Sequence, residues 1–143
     1  MIEVILKPDR SSSNPNPAEE AQFYTVDGMH WRVLNRPRYW RPLTDVYEIE
    51  DALIVRVEIA GMKEENFSIS LTGRWLSITG VRSDFSERRA YHQMEIQFGE
   101  FAVELEVPFV VDEDRIEAFY QDGFLKVVLP RARSHQVKLD IEG

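Results

Sequence analysis

Between Gly99 and Pro130 the chain reads GEFAVELEVPFVVDEDRIEAFYQDGFLKVVLP, three runs of strand periodicity separated by an acidic turn and an Asp-Gly turn. In the first run Phe101, Val103, Leu105 and Val107 alternate with Ala102, Glu104 and Glu106. Period two puts the apolar set on one face of a strand with the other face toward water. Pro108 cannot donate to a ladder and ends the run. In the second, Ile116, Ala118 and Tyr120 share a face opposite Glu117, Phe119 and Gln121. Asp122-Gly123 is a tight hairpin turn, since Gly tolerates positive φ. In the third, Leu125, Val127 and Leu129 alternate with Lys126 and Val128 until Pro130.

The same rhythm extends upstream. Leu43 to Glu50 is a candidate strand, Glu50-Asp51 a turn, and Leu53, Val55, Val57 and Ile59 alternate with Ile54, Arg56 and Glu58. Phe67, Ile69 and Leu71 predict another strand, and Trp75, Leu76 and Ile78 lead on to Gly80. Short strands about ten residues apart with turn signals between them predict an all-β, immunoglobulin-like antiparallel β-sandwich.

Two regions depart from the rhythm. Residues 1–42 hold 5 of the 7 prolines and read as a variable N-terminal arm, irregular or partly helical, with a helix start at Pro17-Ala18-Glu19-Glu20 capped by Asn16. The arm carries the aromatics Phe23, Tyr24, Trp31, Tyr39 and Trp40, which either pack on the domain or present apolar surface. Residues 81–98 form a long excursion in which Tyr91, His92, Gln93, Met94, Glu95 and Ile96 alternate apolar with polar. Long loops in compact domains are usually functional. After Pro130 a polar tail, residues 131–143, ends in Val137-Lys138-Leu139-Asp140-Ile141.

Charge excludes several classes. The 143 residues carry 17 Lys and Arg against 25 Asp and Glu, net −8. Residues 1–42 hold 6 basic and 5 acidic groups, net +1, leaving 11 and 20, net −9, for residues 43–143. That balance argues against nucleic acid and against anionic membranes as partners. With no cysteine there is neither a disulfide framework nor a thiolate metal site. His30, His92 and His135 lack metal-ligand spacing, Asp112-Glu113-Asp114 lacks the Ca²⁺-loop pattern, and no phosphate loop or nucleophile motif occurs. No metal or cofactor is expected. The start, MIEVILKPDR, is no secretory signal, so a cytoplasmic location is expected.

The pattern Gly99-x-Phe101, Val107-Pro108, Ala118, then Gly123-Phe124-Leu125-x-Val127-x-Leu129-Pro130 resembles the signature of the alpha-crystallin domain, the core of the small heat shock proteins. Phe124 stands where Val is usual, and Pro130 comes one place early. Ala60-Gly61-Met62-Lys63-Glu64-Glu65-Asn66 is similar to a family loop, with Ala60 where Pro is common. The resemblance implies an ATP-independent chaperone that binds partly unfolded proteins and does no catalysis, assembled as an oligomer of dimers. It divides the chain into the arm at 1–42, the sandwich at 43–130 and the tail at 131–143.

The loop at 81–98 resembles the bacterial and plant type, which implies that Tyr91 to Ile96 swap into a partner subunit. Leu139-x-Ile141, or Val137-x-Leu139 in an overlapping register, resembles the family's tail motif. By that resemblance the tail docks in a groove lined by Phe67, Ile69, Leu71, Ile116, Ala118 and Tyr120 of another subunit, where clients also bind. The arm aromatics are the other client contacts it implies. Val103 stands where many members carry Arg, which implies an apolar dimer contact in place of a salt bridge. Two rivals stand beside this reading. One is a monomeric module of the same sandwich class with a single folded partner, against which the loop and the tail motif count. The other is a glycan-acting sandwich enzyme using two acids and an exposed Trp.

Overall fold

The computed structural model describes residues 1–8, 21–26, 28–34, 39–85, 87 and 89–133. The described chain forms ten strands in two sheets. They are β1 (Val4–Lys7), β2 (Ala21–Val26), β3 (Met29–Leu34), β4 (Thr44–Ile49), β5 (Ala52–Glu58), β6 (Phe67–Thr72), β7 (Trp75–Arg82), β8 (Gly99–Glu106), β9 (Glu117–Gln121) and β10 (Phe124–Pro130). One sheet has the order β1-β6-β7-β8-β3-β2 and the other β4-β5-β10-β9. Two short 3-10 turns, Glu64–Asn66 and Glu113–Arg115, lead into β6 and β9.

The sheets stack because alternation puts one apolar face of each strand inward. Leu53, Val55, Val57 and Ile59 come from β5 and the residue after it, and Leu125, Val127 and Leu129 from β10; they face Ile69, Leu71, Leu76, Ile78, Phe101, Val103 and Leu105 of the other sheet, and all are at most 2% exposed. Register keeps like with like: Val55 lies beside Val46 and Val127, and Ile78 beside Val103. A slip of one residue would turn each of these side chains to water, so burial fixes the register.

The hairpins follow their turn residues. Glu50 and Asp51 (φ 43° and 58°) close β4–β5, while Asp122 and Gly123 (φ 52° and 82°) close β9–β10. Positive φ at both central positions is the turn whose twist matches paired strands. The Ile59 N–H donates to Gly123 O at 2.8 Å, tying the second turn to the end of β5.

The arm departs from expectation. Where an irregular or partly helical segment was expected in residues 1–42, the described residues hold three strands, β1 to β3, and no helix, with irregular backbone at 1–3 and 39–42. β1 runs parallel to β6, and β3 pairs antiparallel with β8 through Trp31↔Leu105 and Arg32↔Glu104. Sheet edges offer unpaired backbone groups, and these satisfy them better than an isolated helix start would. The expected helix start at Pro17–Glu20 lies outside the described residues. Val103, expected at a dimer contact, is 1% exposed and points into the sandwich. Inward alternation from Phe101 to Leu105 leaves it no route to a partner.

Gly80 is a packing requirement. It is the register partner of Phe101, and a Cβ there would stand 2.6 Å from the Phe101 ring and 2.7 Å from Asn66 O. Phe101 is itself fully buried, so the ring has no room to retreat. Gly80→Ala is expected to cost about 1–3 kcal/mol of stability, read as a lower urea midpoint at unchanged slope. An unchanged midpoint would contradict this packing.

Candidate functional site

The site expected from sequence consists of surfaces, of which the fold shows two, the margin between β6 and β9 and the loop after β7, and it adds a third that the sequence reading did not name, the outer edge of β4.

At the first, Phe67, Ile69, Leu71 and Ala118 are buried, while Ile116 and Tyr120 are half-buried against the core. Tyr120 spans the margin. Its hydroxyl donates to Ile59 O at 2.8 Å and accepts from Met62 N at 3.4 Å, and its ring lies 5.1 Å from that of Phe67. The margin is occupied by the chain's own β1. Val4 and Ile5 pair with Ile69 and Ser70 on β6, and Ile2 N–H donates to Ala118 O on β9 at 2.8 Å. Ile2 is 9% exposed and Val4 packs against the core. No periodicity pointed to this, because VIL in β1 is a short unbroken apolar run. The signal was present in Ile2-x-Val4, the same apolar-x-apolar spacing as in the tail.

Among the described residues of the loop between β7 and β8 there is no strand in the isolated chain. Its base is fastened by Arg82, whose Nε donates to Gln97 O at 2.9 Å and Nη1 to Ala60 O at 3.3 Å. The same guanidinium lies 4.5 Å from the Trp40 ring and 5.3 Å from that of Phe98. Further out, Arg89 bonds Asp84 at 3.1 Å and the Tyr91 hydroxyl at 2.8 Å, and that hydroxyl donates to Asp84 Oδ2 at 3.2 Å. Between these two fastenings the apolar side chains point outward. Phe85 is 82% exposed, Met94 and Ile96 each 65%, and Tyr91 49%. His92, Gln93 and Glu95 are also exposed. Phe85 went unnoticed in the sequence because its neighbours are charged.

At the third place, β4 is the outermost strand of its sheet, with β5 on one side. Leu43 and Ile49 at its two ends are 77% and 52% exposed.

The arm aromatics divide. Trp31 is buried in the core beneath the Arg41 guanidinium, which lies 4.3 Å from its ring. Trp40 is half-buried beside β8: its N–H donates to Glu100 O, its carbonyl accepts from Ala102, and its ring meets Phe101 edge-on at 5.7 Å. Tyr39 is half-buried. Phe23 and Tyr24 lie on β2, opposite Arg32 and Trp31 of β3. The tail residues Val137, Leu139 and Ile141 lie outside the described residues. Among the described residues no three His, Cys, Asp or Glu side chains stand together to hold a metal, and no helix is long and apolar enough to cross a membrane.

Comparison with known proteins accords with this geometry. Residues 45–142 match the model of the Hsp20/alpha crystallin family. Heat shock protein 16 of Schizosaccharomyces pombe is 34% identical over 104 residues, covering 70% of this chain and 73% of that protein. Small heat shock protein C4 of Rickettsia felis is 28% identical over 99 residues, covering 68% of this chain. That match spans 61% of the Rickettsia protein's own length. Among solved structures, heat shock protein 16.0 from Schizosaccharomyces pombe superposes with a TM-score of 0.61 at 30% identity, over 75% of this chain and 78% of that one. A small heat-shock protein from Xylella fastidiosa shares the fold, with a TM-score of 0.62 at 22% identity over 73% of this chain and 98% of its own. The two-sheet sandwich and these matches place the fold in the alpha-crystallin class of β-sandwich. The chain belongs to the Hsp20/alpha crystallin family, the small heat shock proteins, and membership implies a chaperone role.

The loop fastening has a pH signature. The hydrogen bond from Arg89, foremost, holds the Asp84 carboxyl below its ordinary 3.8, and the same pairing raises Arg89. A lowered carboxylate stabilises the fold above its unfolded value and ceases to as pH falls through the folded one. The pairing therefore favours the knot at neutral pH, and that contribution is lost as pH falls through the lowered value of Asp84. Asp84→Asn is expected to speed amide exchange across residues 83–98 several-fold at neutral pH, leaving the global unfolding midpoint unchanged. Equal loop exchange in both proteins would contradict a role for the knot.

Proposed function

We propose that the protein is an ATP-independent holdase that covers partly unfolded cytoplasmic proteins and keeps them from aggregating. The observation that carries this reading is the gathering of exposed apolar side chains, Phe85, Tyr91, Met94 and Ile96, on one loop, with Leu43 and Ile49 flanking an open strand edge. Unfolded chains expose apolar patches and unpaired strand edges, and a surface of this kind complements both. The net −9 of residues 43–143 keeps a laden complex dispersed.

In the working form, residues 91–96 of one copy add as a strand to β4 of a second, and the reverse contact closes a dimer. Three points support this: Met94 and Ile96 are each 65% exposed in the single chain, the outer side of β4 has no partner strand among the described residues, and Met94 and Ile96 would share one face of an extended segment. Each backbone hydrogen bond so made contributes about 0.5–1.5 kcal/mol. Dimers then join through the tail, with Leu139 and Ile141 or Val137 and Leu139 entering the β6–β9 margin of another subunit. Burying two such residues yields roughly 3–6 kcal/mol, against an association cost of ~4–15 kcal/mol. One tail is therefore weak and several together hold. The arm at 1–42, the sandwich at 43–130 and the tail at 131–143 have distinct parts in this scheme. Phe23, Tyr24 and Tyr39 are the arm aromatics assigned to clients; Trp31 and Trp40 reach them only if the arm leaves β8.

The test is light scattering of a heated aggregation-prone protein without nucleotide. Suppression at near-stoichiometric ratio is expected. Leu139→Ala with Ile141→Ala should reduce the assembly to a dimer of twice 16.7 kDa, about 33 kDa. Undiminished aggregation with the sandwich intact would refute the reading.

A further inference from the structure

We propose that strand β1 is a displaceable plug of the β6–β9 margin, and that it competes there with the tail of a second copy. The inference rests on the tail-docking reading above and adds that the margin already has a guest in the single chain. β1 bridges the two sheets: it pairs in parallel with β6 and reaches β9 through Ile2 N–H to Ala118 O. No other described strand touches both sheets in this way.

The two guests match in pattern. Ile2-Glu3-Val4-Ile5-Leu6 and Val137-Lys138-Leu139-Asp140-Ile141 each place three apolar residues at alternate positions, with a charged residue between the first two. In the plug, Ile2 is buried, Glu3 is exposed and Val4 packs against the core. An incoming tail strand that pairs with the same edge of β6 would need the same backbone groups and the same floor of Phe67, Ile69 and Ala118. Both cannot be seated at once.

The plug is weakly held, as a competitor must be. β1 is four residues long and is followed by Pro8, which cannot donate to a ladder. Ile5 and Leu6 remain 50% and 43% exposed. An open surface cleft of about 440 Å³ lies alongside, lined by Ile2, Glu3, Ile5, Glu64, Glu65 and Phe67–Ile69, so one flank of the strand faces solvent. β1 has the advantage of being tethered to the margin it fills, and the tail that of number in a concentrated assembly. Local concentration of tails then selects between the plugged and the linked state. The plugged state also hides the margin from clients.

The experiment uses the full-length chain carrying Leu139→Ser and Ile141→Ser, so that its own tail does not compete. The probe is a fluorescein-labelled peptide of residues 134–143, followed by anisotropy. Adding Ile2→Ser and Val4→Ser should tighten peptide binding at least tenfold, whereas the control Ile5→Ser, at an outward position, should leave it unchanged. A second variant holds the plug in place. The chain has no cysteine, and Ile5 and Ser70 are register partners, so Ile5→Cys with Ser70→Cys can be closed and opened by oxidant and reductant. Oxidation should weaken peptide binding at least tenfold and reduction restore it. Equal binding to the plugged, opened and locked forms would overturn the plug while leaving tail docking standing. No binding to any form would overturn both.

Discussion

Every strand at the margin of a sheet leaves a row of N–H and C=O groups without partners, and the disposal of these rows governs the molecule. The central strands β5, β7 and β10, each paired on both sides by strands of the sandwich, are satisfied within it. The outer edges are another matter. The outer side of β8 is met by Arg32 and Trp31 of β3 near Glu104 and Leu105, and by the backbone of Trp40 at Glu100 and Ala102. The outer sides of β6 and β9 are both met by the first few residues of the chain. The described residues of the arm, at Ile2 to Lys7, Trp31, Arg32 and Trp40, thus act as edge cover. β4 is left with an open side, and the loop that carries uncovered apolar side chains supplies a strand-like segment suited to it.

How much of this was legible follows from the physics of each element. Runs such as Leu53-Ile54-Val55-Arg56-Val57 and Phe101 to Val107 bury one face in a core from their own chain, and period two records that burial directly. The Asp122-Gly123 turn was legible because its backbone needs positive φ. β1, β2 and β3 were not. They are placed by edge pairing, β1 on β6, β3 on β8 and β2 on β3, and pairing leaves little trace in side-chain pattern. For Trp31 the sequence left packing on the domain and client contact both open, and the family resemblance favoured clients; its place beneath Arg41 depends on a partner strand distant in sequence. Val103 was misplaced by analogy, where plain alternation already pointed it inward.

The candidate surfaces show the same division. The lining of the β6–β9 margin could be named from alternation, but its occupant could not, since Ile2-x-Val4 carries no label distinguishing a guest from a strand. The loop's alternation was visible from Tyr91 to Ile96, yet the isolated chain forms no strand there. In the proposed dimer the complement of this segment is a second copy, which would give it pattern without local structure of its own. The fastenings at Arg82 and at Asp84, Arg89 and Tyr91 hold the two ends of that segment and leave Met94 and Ile96 facing solvent. That arrangement presents apolar surface without unfolding the sandwich.

The most direct test of the account is hydrogen exchange by mass spectrometry on the full-length protein, at concentrations that favour assembly and after dilution to the 16.7 kDa monomer. If the open edge of β4 receives the loop of a second copy, the amides of Thr44–Ile49 that face away from β5 and those of residues 91–96 will be protected together. They will lose that protection together on dilution, while β5 and β10 stay protected throughout. Free exchange of residues 91–96 in the assembled protein, or β4 protection indifferent to dilution, would contradict the account.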